Sequence, residues 1–574
     1  MNADRVHPEL GPRVAARLIT LILLILPIAA ACGTQPPVPA PAGTQSTKPS
    51  RSAAADAAKA VAEASAGAFV IADAKPLSRT VHPYPTASSY GESWSQAARL
   101  IWGAGLLDLD ANTLEYIPYL ASEWNISDDG KTVTFKLRDG LKWSDGQPLT
   151  VDDFLFAWQN AAKEENDFAE LDALGQIESY TSPGPGSIVV KLDETLARDI
   201  ALAVANTIVP VPRHVWSGKP WNDPVVNPEI SKPTVVSGPY VPKEWNATEG
   251  AVLERNPSWF KGQPSLERVV LRPIQPPSAA VDVVRGNQAH WAPTIQPSQY
   301  ADARQDPNLN LYEWSAANGV YRVLEFNLTR EPLKDKRLRE ALSRAVNRQE
   351  AMQVAESTPG DLQYTFLSPG NTRWHNANVE KYEFSLDRAR TLLQEAGYRR
   401  EGDRLLDPRG QALELQLLYP SSSGPRARLA TYLQQQYRQL GVELETKGLE
   451  TNAYFDEVTK GNFDLSLGTW GGGSIDPDLA AKGQLVSGGP QNVTGFSSER
   501  VDNLFRQAAS ELDPIKRKAL YDELQRLVSD ELPSLYLYVV RSFSPMSKSV
   551  AGVQPNKLEA LDLNDALTRW SHAR

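Results

Sequence analysis

The chain has very little cysteine and histidine, which excludes several kinds of site at the outset. A single cysteine among 574 residues permits no internal disulfide and no zinc site built on cysteine. The six histidines are scattered along the chain: His7, His82, His214, His290, His375 and His572. They show neither HxH nor HExxH spacing, so we expect no metal enzyme, no bound metal and no cofactor.

Positive charge is also scarce. Lysine and arginine number 59 against 69 aspartates and glutamates, which gives a net charge of −10. Because binding to phosphate backbones needs clustered basic side chains, nucleic acid is not an expected partner. The apolar content of 41% and charged content of 22% are globular values, and a chain of this length needs two or more domains or lobes.

Long hydrophobic runs are absent as well. The apolar run Leu18 to Ile28 has eleven residues, whereas a helix needs about 20 to cross a bilayer of roughly 30 Å. Arg13 and Arg17 precede this run, and its length and flanking charge are typical of the core of a signal peptide. The sequence therefore predicts a signal peptide over residues 1–31.

The only cysteine, Cys32, directly follows Ala29-Ala30-Ala31 and resembles the cysteine of a bacterial lipobox. One departure is Ala29, which stands where a leucine is usual. The resemblance implies that Cys32 becomes the mature N-terminus and carries lipid. Residues 32–67 are rich in Pro, Ala, Ser and Thr without aromatic residues, and they indicate a flexible linker. The alternative is a secretory signal that is uncleaved or not lipidated.

The rest of the chain alternates between strand and helix patterns. Val133, Phe135 and Leu137 alternate with polar residues, as in a half-buried strand. Asp335 precedes a helix whose apolar residues share one face. Strand, helix and strand patterns follow one another between residues 413 and 467, which indicates an α/β lobe.

Residues 124–153 carry the densest motif, W-x-x-S-x-D-G-K-T-x-x-F-x-L-R-x-G-x-x-W-x-D-G-x-P-x-T-x-x-D. This motif resembles the signature of the family 5 extracellular solute-binding proteins, the oligopeptide-, dipeptide- and nickel-binding components of ABC importers. Further segments resemble the family in the same order: Ser237–Tyr240 with Glu254–Pro257 and Trp259, Phe326-Asn327 with Pro332–Ala341, Arg388–Tyr398, Gly461–Asp464 with Trp470 and Asp476-Pro477, and Leu532–Tyr538. The resemblance covers about residues 68 to 570.

The resemblance implies an α/β fold of the two-lobed periplasmic-binding-protein type (type II, the large class with an extra inserted domain), with a ligand cleft between the lobes. Domain I is expected to comprise residues 68–112, 234–320 and 541–574. Domain II, on the same lobe, is expected at 113–233, and domain III, the second lobe, at 321–540.

The same resemblance implies a ligand-binding loop formed by Trp470, Gly471, Gly472 and Gly473. Aromatic rings give a ligand rigid contact area, and exposed backbone at glycines gives directional hydrogen bonds. The alternative is a core tryptophan followed by an ordinary turn.

Two further groups are candidates for ligand binding. The loop containing Ser89, Tyr90 and Glu92 would be the domain I counterpart, unless it is an ordinary surface loop. Tyr454 is a third candidate, for which packing of a helix is an equal alternative.

Two departures from the family concern the ligand. Peptide binders of the family typically have, three residues after this tryptophan, an aspartate that pairs with the peptide α-ammonium, and here that position is Gly473. A family aromatic residue is replaced by Thr451. The sequence thus supports the solute-binding fold more strongly than it supports peptides as ligands.

Catalysis is not expected. Neighbouring carboxylates such as Asp152 and Asp153 point about 100° apart on a helix, and capping explains them. Neither a G-x-S-x-G motif nor a Walker loop is present in the sequence.

We therefore expect a lipid-anchored, monomeric binding protein on the outer face of the bacterial cell membrane or in the periplasm. It would capture a peptide or similar small solute and deliver it to ABC permease subunits that work with a cytoplasmic ATPase. The alternatives are a non-peptide solute such as an oligosaccharide, or a regulatory or cell-envelope lipoprotein that no longer serves transport.

Overall fold

A computed structural model describes residues 67–85, 95–554 and 569–572. The predicted signal peptide, Cys32 and the loop residues Ser89, Tyr90 and Glu92 lie outside the described residues. The expectations placed on them therefore stay predictions.

Strands run through the whole described part of the chain. They are β1 Phe69–Asp73, β2 Leu107–Leu109, β3 Tyr116–Pro118, β4 Ala121–Ile126, β5 Thr132–Leu137, β6 Ile177–Gly184, β7 Ser187–Leu192, β8 Tyr240–Asn246, β9 Gly250–Arg255, β10 Arg268–Pro273, β11 Leu309–Trp314, β12 Tyr321–Phe326, β13 Gly360–Leu362, β14 Arg399–Glu401, β15 Arg404–Leu406, β16 Glu414–Pro420, β17 Glu443–Leu449, β18 Leu465–Trp470, β19 Ser534–Val540, β20 Ser542–Ser547, β21 Val550–Ala551 and β22 Ser571–His572.

The α-helices lie between these strands. They are α1 Ser95–Trp102, α2 Val151–Ala161, α3 Leu171–Leu174, α4 Arg198–Ala205, α5 Arg213–Trp216, α6 Ala280–Arg285, α7 Tyr300–Gln305, α8 Lys336–Arg344, α9 Arg348–Glu356, α10 Leu386–Glu395, α11 Gly424–Arg438, α12 Thr451–Thr459, α13 Pro477–Leu485, α14 Glu499–Ser510 and α15 Pro514–Glu531.

The first lobe contains two four-stranded sheets, with strand orders β1-β10-β9-β8 and β4-β5-β7-β6, besides smaller two-stranded pairs. Val133, Phe135 and Leu137 of β5 are buried while Lys136 between them is exposed, as their alternation predicts. These side chains belong to one apolar core that also includes Phe69 and other residues of the first sheet. The two sheets are therefore packed into a single lobe.

The second lobe is built on one sheet with strand order β13-β19-β12-β18-β16-β17. The segment β16-α11-β17 forms a parallel pair joined by a helix, as the sequence predicts. Apolar residues of α8 to α11 cover one face of the sheet, and those of α13 to α15 cover the other. Both faces are thus buried, which explains the nearly continuous apolar run in β19.

The two lobes are connected through two adjacent crossings. Strands β11 and β20 pair antiparallel in the first lobe, and β12 and β19 pair antiparallel in the second. The chain crosses once between Trp314 and Tyr321 and once between Val540 and Ser542. At this point the Val540 N–H donates to the Val320 carbonyl over 2.9 Å. This confirms the two-lobed α/β fold.

Several helix ends follow from local sequence. Asp335 caps α8 by accepting a hydrogen bond from the Arg337 N–H over 2.9 Å, and Gly397 ends α10 with φ of 87°. The Thr150 N–H before α2 donates to the Asp153 carboxylate over 2.9 Å. The helix predicted after Asp335 is thus confirmed.

Within the part of the chain that the structure describes, no helix combines the length and the apolar character needed to cross a bilayer.

Candidate functional site

Trp470 is the last residue of β18 and is half-buried. Its indole Nε1–H donates to Glu325 Oε1 over 2.8 Å. Ser466 also donates to the Glu325 carboxylate, which lies against Gly468 of the same strand. The orientation of the Trp470 ring is therefore fixed by a hydrogen bond to a carboxylate on the neighbouring strand β12.

The buried position of Glu325 affects its ionisation. Its side chain is 3% exposed. Burial raises the pKa of the Glu325 carboxyl above its usual value, while the hydrogen bonds from Ser466 and Trp470 oppose this. A cavity of about 20 Å³ between Glu325, Trp470 and Tyr536 has room for roughly one water molecule. This side of the Trp470 ring therefore has no space for a ligand larger than water.

The glycines after Trp470 form an exposed turn whose shape requires them. Gly471 has φ of 95°, and a Cβ there would lie 2.3 Å from the Gly319 carbonyl oxygen. Gly472 has φ of 81°, a conformation that side chains rarely adopt. Gly473 is exposed, and a Cβ on it would meet no atom within 4 Å. Glycine is thus needed at the first two positions, whereas the third has free space.

This loop is bound to the crossing between the lobes. The Gly472 N–H donates to the Asn318 carbonyl over 2.6 Å, and Asn318 Nδ2 donates to the Gly473 carbonyl over 2.9 Å. Val320, which begins the crossing into β12, is 38% exposed and lies beside Gly472. The predicted ligand loop therefore presents exposed backbone and one apolar side chain at the point where the chain passes between lobes.

Asp476 has a structural position in the same loop. It caps α13 by accepting a hydrogen bond from the Asp478 N–H over 3.0 Å. Arg517, only 2% exposed, donates to both Asp476 carboxylate oxygens over 2.6 and 2.9 Å. Both oxygens of Asp476 are thus engaged within the second lobe.

For Tyr454 the structure favours the helix-packing alternative. The residue is 2% exposed and packs with Leu418, Val458 and Phe463. Its hydroxyl donates to the Leu467 carbonyl over 3.1 Å. Tyr454 fixes α12 against the sheet and presents almost no surface to a ligand.

The lobes also meet through a buried ion pair that the sequence analysis missed. Arg373 of the second lobe donates to both carboxylate oxygens of Asp199, in α4 of the first lobe, over 3.0 and 2.8 Å. Tyr116 lies close by: burial, and then the charges of Asp199 and Asp476, hold its pKa well above the usual value. The sequence contains no motif at either charged residue, so only the fold reveals the pair.

An open cleft of about 650 Å³ lies beside this contact. Strand β4 forms one side of it, including Trp124, and Arg198 and Leu512 complete the lining. Trp470 and its glycines are not part of this lining. We place the predicted ligand surface at the Trp470 loop, because exposed backbone and an aromatic ring come together there.

Known proteins resemble this chain over most of its length. The model of the bacterial extracellular solute-binding proteins, family 5 (middle region), matches residues 115–492. The oligopeptide-binding protein AppA of Bacillus subtilis (strain 168) is 24% identical over 433 residues, which are 74% of this chain and 78% of AppA. The dipeptide-binding protein of Escherichia coli (strain K12) is 25% identical over 477 residues, 78% of this chain and 85% of that protein.

Solved structures agree on the fold. The ABC transporter substrate-binding protein CtaP of Listeria monocytogenes matches with a TM-score of 0.74 at 23% identity, over 88% of this chain and 100% of CtaP. The family match extends over more than half of the chain and confirms the resemblance seen in the sequence motifs. The chain belongs to the family 5 bacterial extracellular solute-binding proteins.

Proposed function

We propose that this protein is the substrate-binding component of an ABC importer that captures a peptide or similar small solute outside the cytoplasmic membrane. The observation that carries the proposal is the exposed Gly471–Gly473 backbone beside Trp470 at the crossing between lobes. Relatives named as oligopeptide- and dipeptide-binding proteins support it. The protein works as a monomer and delivers its solute to permease subunits coupled to a cytoplasmic ATPase.

The proposed mechanism is closure of the two lobes about the crossings at residues 314–321 and 540–542. Each lobe has its own apolar core, so the lobes can move as separate bodies. The moving units are the expected domains I and II, at 68–112, 234–320, 541–574 and 113–233, against domain III at 321–540. A solute that contacts both lobes favours the closed form and shifts a pre-existing equilibrium.

The solute is proposed to lie on the outer side of Trp470 and to accept or donate hydrogen bonds at the exposed glycine backbone. The loop with Ser89, Tyr90 and Glu92 completes the site from the first lobe. This placement is supported by the position of the Trp470 loop, which is the second-lobe part of the proposed site and lies at the crossing between the lobes.

A second candidate is a non-peptide solute such as an oligosaccharide. The observation in its favour is Gly473, which provides no carboxylate for a peptide ammonium. Three acids of the second lobe are already engaged: Asp476 pairs with Arg517, Glu325 accepts from Trp470 and Ser466, and Glu450 caps α12 by accepting from the Asn452 N–H over 2.9 Å. Neutral solutes and peptides with a blocked or displaced amine fit such a surface better than free short peptides.

Native mass spectrometry of gently purified protein tests the solute class. A bound peptide mass supports the main proposal, and a bound oligosaccharide supports the second candidate. The third possibility, a regulatory or cell-envelope lipoprotein, predicts no bound solute and no permease or ATPase gene beside its own.

The membrane anchor is tested separately. If Cys32 carries lipid, Cys32→Ser should release the protein from the membrane fraction, because stable attachment depends on the acyl chains. Cell fractionation with detection by antibody measures this. Processed Cys32→Ser protein that stays in the membrane fraction would contradict the anchor and leave solute binding unaffected.

A further inference from the structure

The ion pair between Asp199 and Arg373 differs from other buried charge contacts in that its hydrogen-bond and ion-pair partners lie only across the cleft, although Arg373 also lies over the Trp374 ring of its own lobe. Within residues 95–554, the acceptors that Arg373 contacts are the Asp199 carboxylate and the Leu114 carbonyl, at 2.9 Å, both in the first lobe. Asp199 in turn contacts Arg373 and, over 3.5 Å, Arg517, both in the second lobe. Neither side chain has a partner of this kind within its own lobe.

Arg517 provides the contrast. Its two close contacts with Asp476 lie inside the second lobe and remain whether the lobes are together or apart. Asp199 and Arg373, in comparison, are paired only when the lobes are together. Their side chains are 9% and 16% exposed in the structure, so little water replaces a lost partner there.

This arrangement determines whether loss of the ion pair changes the stability of the fold or the equilibrium between closed and open forms. Removing one partner of a buried ion pair leaves an unpaired charge that is poorly hydrated. In a single-lobe pair the cost would reduce the stability of the fold. Here the remaining charge can regain water if the lobes separate, so the cost shifts the equilibrium between closed and open forms.

From these contacts we infer that Asp199 and Arg373 form a clasp between the lobes that sets the closed fraction of the solute-free protein. The inference rests on the proposed closure of the lobes and extends it, because it assigns part of the closing free energy to the protein's own charges. The bidentate geometry makes this contact strong and orientation-specific. A second contact accompanies it: the Ala197 N–H donates to the Ala509 carbonyl over 2.7 Å.

The test compares Asp199→Asn with Glu178→Gln in solute-free protein. Both remove one negative charge from the first lobe, but Glu178 pairs with Lys191 on the same sheet, over 2.7 Å. We expect Asp199→Asn to lower the closed-to-open ratio about tenfold, or ~1.4 kcal/mol, and to increase the radius of gyration in small-angle X-ray scattering. Glu178→Gln should scatter like the wild type.

Hydrogen exchange gives a second, local readout. The Ala197 amide, which donates across the cleft, should exchange about tenfold faster in Asp199→Asn, while the amides of Ala201 to Ala205 in α4 keep their protection. Faster exchange throughout α4 would mean local unfolding and would overturn the clasp. Arg373→Gln should also open the protein, and the double variant should be less open than the sum of the two single effects, since both remove the Asp199–Arg373 contact.

The outcomes separate this inference from the proposed function. Unchanged scattering and unchanged Ala197 exchange in Asp199→Asn would overturn the clasp, even if the protein binds peptides. Opening of Asp199→Asn would support the clasp, even if mass spectrometry later finds no solute and the proposed function fails.

Discussion

The contact between Trp470 and Glu325 joins a half-buried ring, the proposed ligand contact, to a buried carboxylate. Because the indole N–H donates to Glu325 over 2.8 Å, the orientation of the ring depends on a residue of the adjacent strand. A change at Trp470 therefore acts on binding through the ring and on stability through the hydrogen bond. The two effects can be separated by choosing different replacements.

Trp470→Ala should weaken solute binding by about 2 kcal/mol or more, as loss of an aromatic contact at the centre of an interface does. It should also lower the free energy of unfolding by about 1–3 kcal/mol, because Glu325 loses a donor. Trp470→Phe is the matched variant, which loses the donor and keeps a ring. Calorimetric titration and chemical denaturation measure both quantities. Unchanged solute affinity in Trp470→Ala would show that Trp470 is a packing residue and does not contact the solute.

Glu325→Gln should change how stability depends on pH. The folded pKa of Glu325 lies above its ordinary value of 4.5, so its contribution to stability is complete below that pH and is lost as pH rises through the folded pKa. For one proton the loss approaches ~1.4 kcal/mol per pH unit in that range. Glutamine has no such loss and still accepts from Trp470. Denaturation curves between about pH 4 and 7 should therefore diverge between wild type and variant, with the variant relatively more stable towards neutral pH.

An identical pH profile in Glu325→Gln would contradict the raised pKa. The comparison must be a difference between the two proteins, because other buried groups titrate as well. His82, for example, is buried among aromatic rings, and burial lowers its pKa to about 3.

At the scale of elements, α13 depends on Asp476 in two ways. Asp476 caps the helix, and it also pairs with the buried Arg517 of α15. Asp335 caps α8 in a similar way, but its charge partner is the exposed Arg337. The two aspartates therefore differ mainly in whether an ion pair is buried.

Asp476→Ala should destabilise the protein by about 3–5 kcal/mol, because the buried Arg517 loses its bidentate carboxylate partner and keeps only the longer contact with Asp199 at 3.5 Å. Asp335→Ala should lose only about 1 kcal/mol, the usual contribution of a cap. Differential scanning calorimetry of both variants measures the difference. Equal losses would show that Arg517 is not stabilised by Asp476 in the way its geometry indicates.

Elements whose signals lie within about ten residues could be predicted from the sequence. The alternation in β5, the cap at Asp335 and the end of α10 at Gly397 depend on neighbouring side chains and backbone conformation alone. The exposed glycine loop after a strand was also predictable, because glycine clusters favour turns.

Contacts between distant parts of the chain could not be predicted. Glu325 and Trp470 are 145 residues apart, and Arg373 and Asp199 are 174 apart. A single sequence gives a charged residue the default expectation of a solvated surface. The fold brings these side chains together and buries them, and the same reason explains why Tyr454 could not be assigned to packing beforehand.

At the scale of the whole molecule, each lobe has its own apolar packing, and two adjacent crossings join the lobes. The proposed closure rests on this arrangement. In that proposal, a solute at the Trp470 loop adds contacts to a closed form that the Asp199–Arg373 pair already stabilises in part.

Calorimetric titration with matched unblocked and N-acetylated short peptides is the most direct test of the proposal that the protein binds a peptide-like solute without a carboxylate for its ammonium. An ammonium enclosed without a partner costs several kcal/mol, or two or more decades of affinity. We expect unblocked di- and tripeptides to bind with dissociation constants no better than about the high micromolar range, and N-acetylated ones to bind more tightly. Sub-micromolar binding of unblocked peptides, abolished by acetylation, would contradict it and indicate that another carboxylate, such as Glu92, has taken this role.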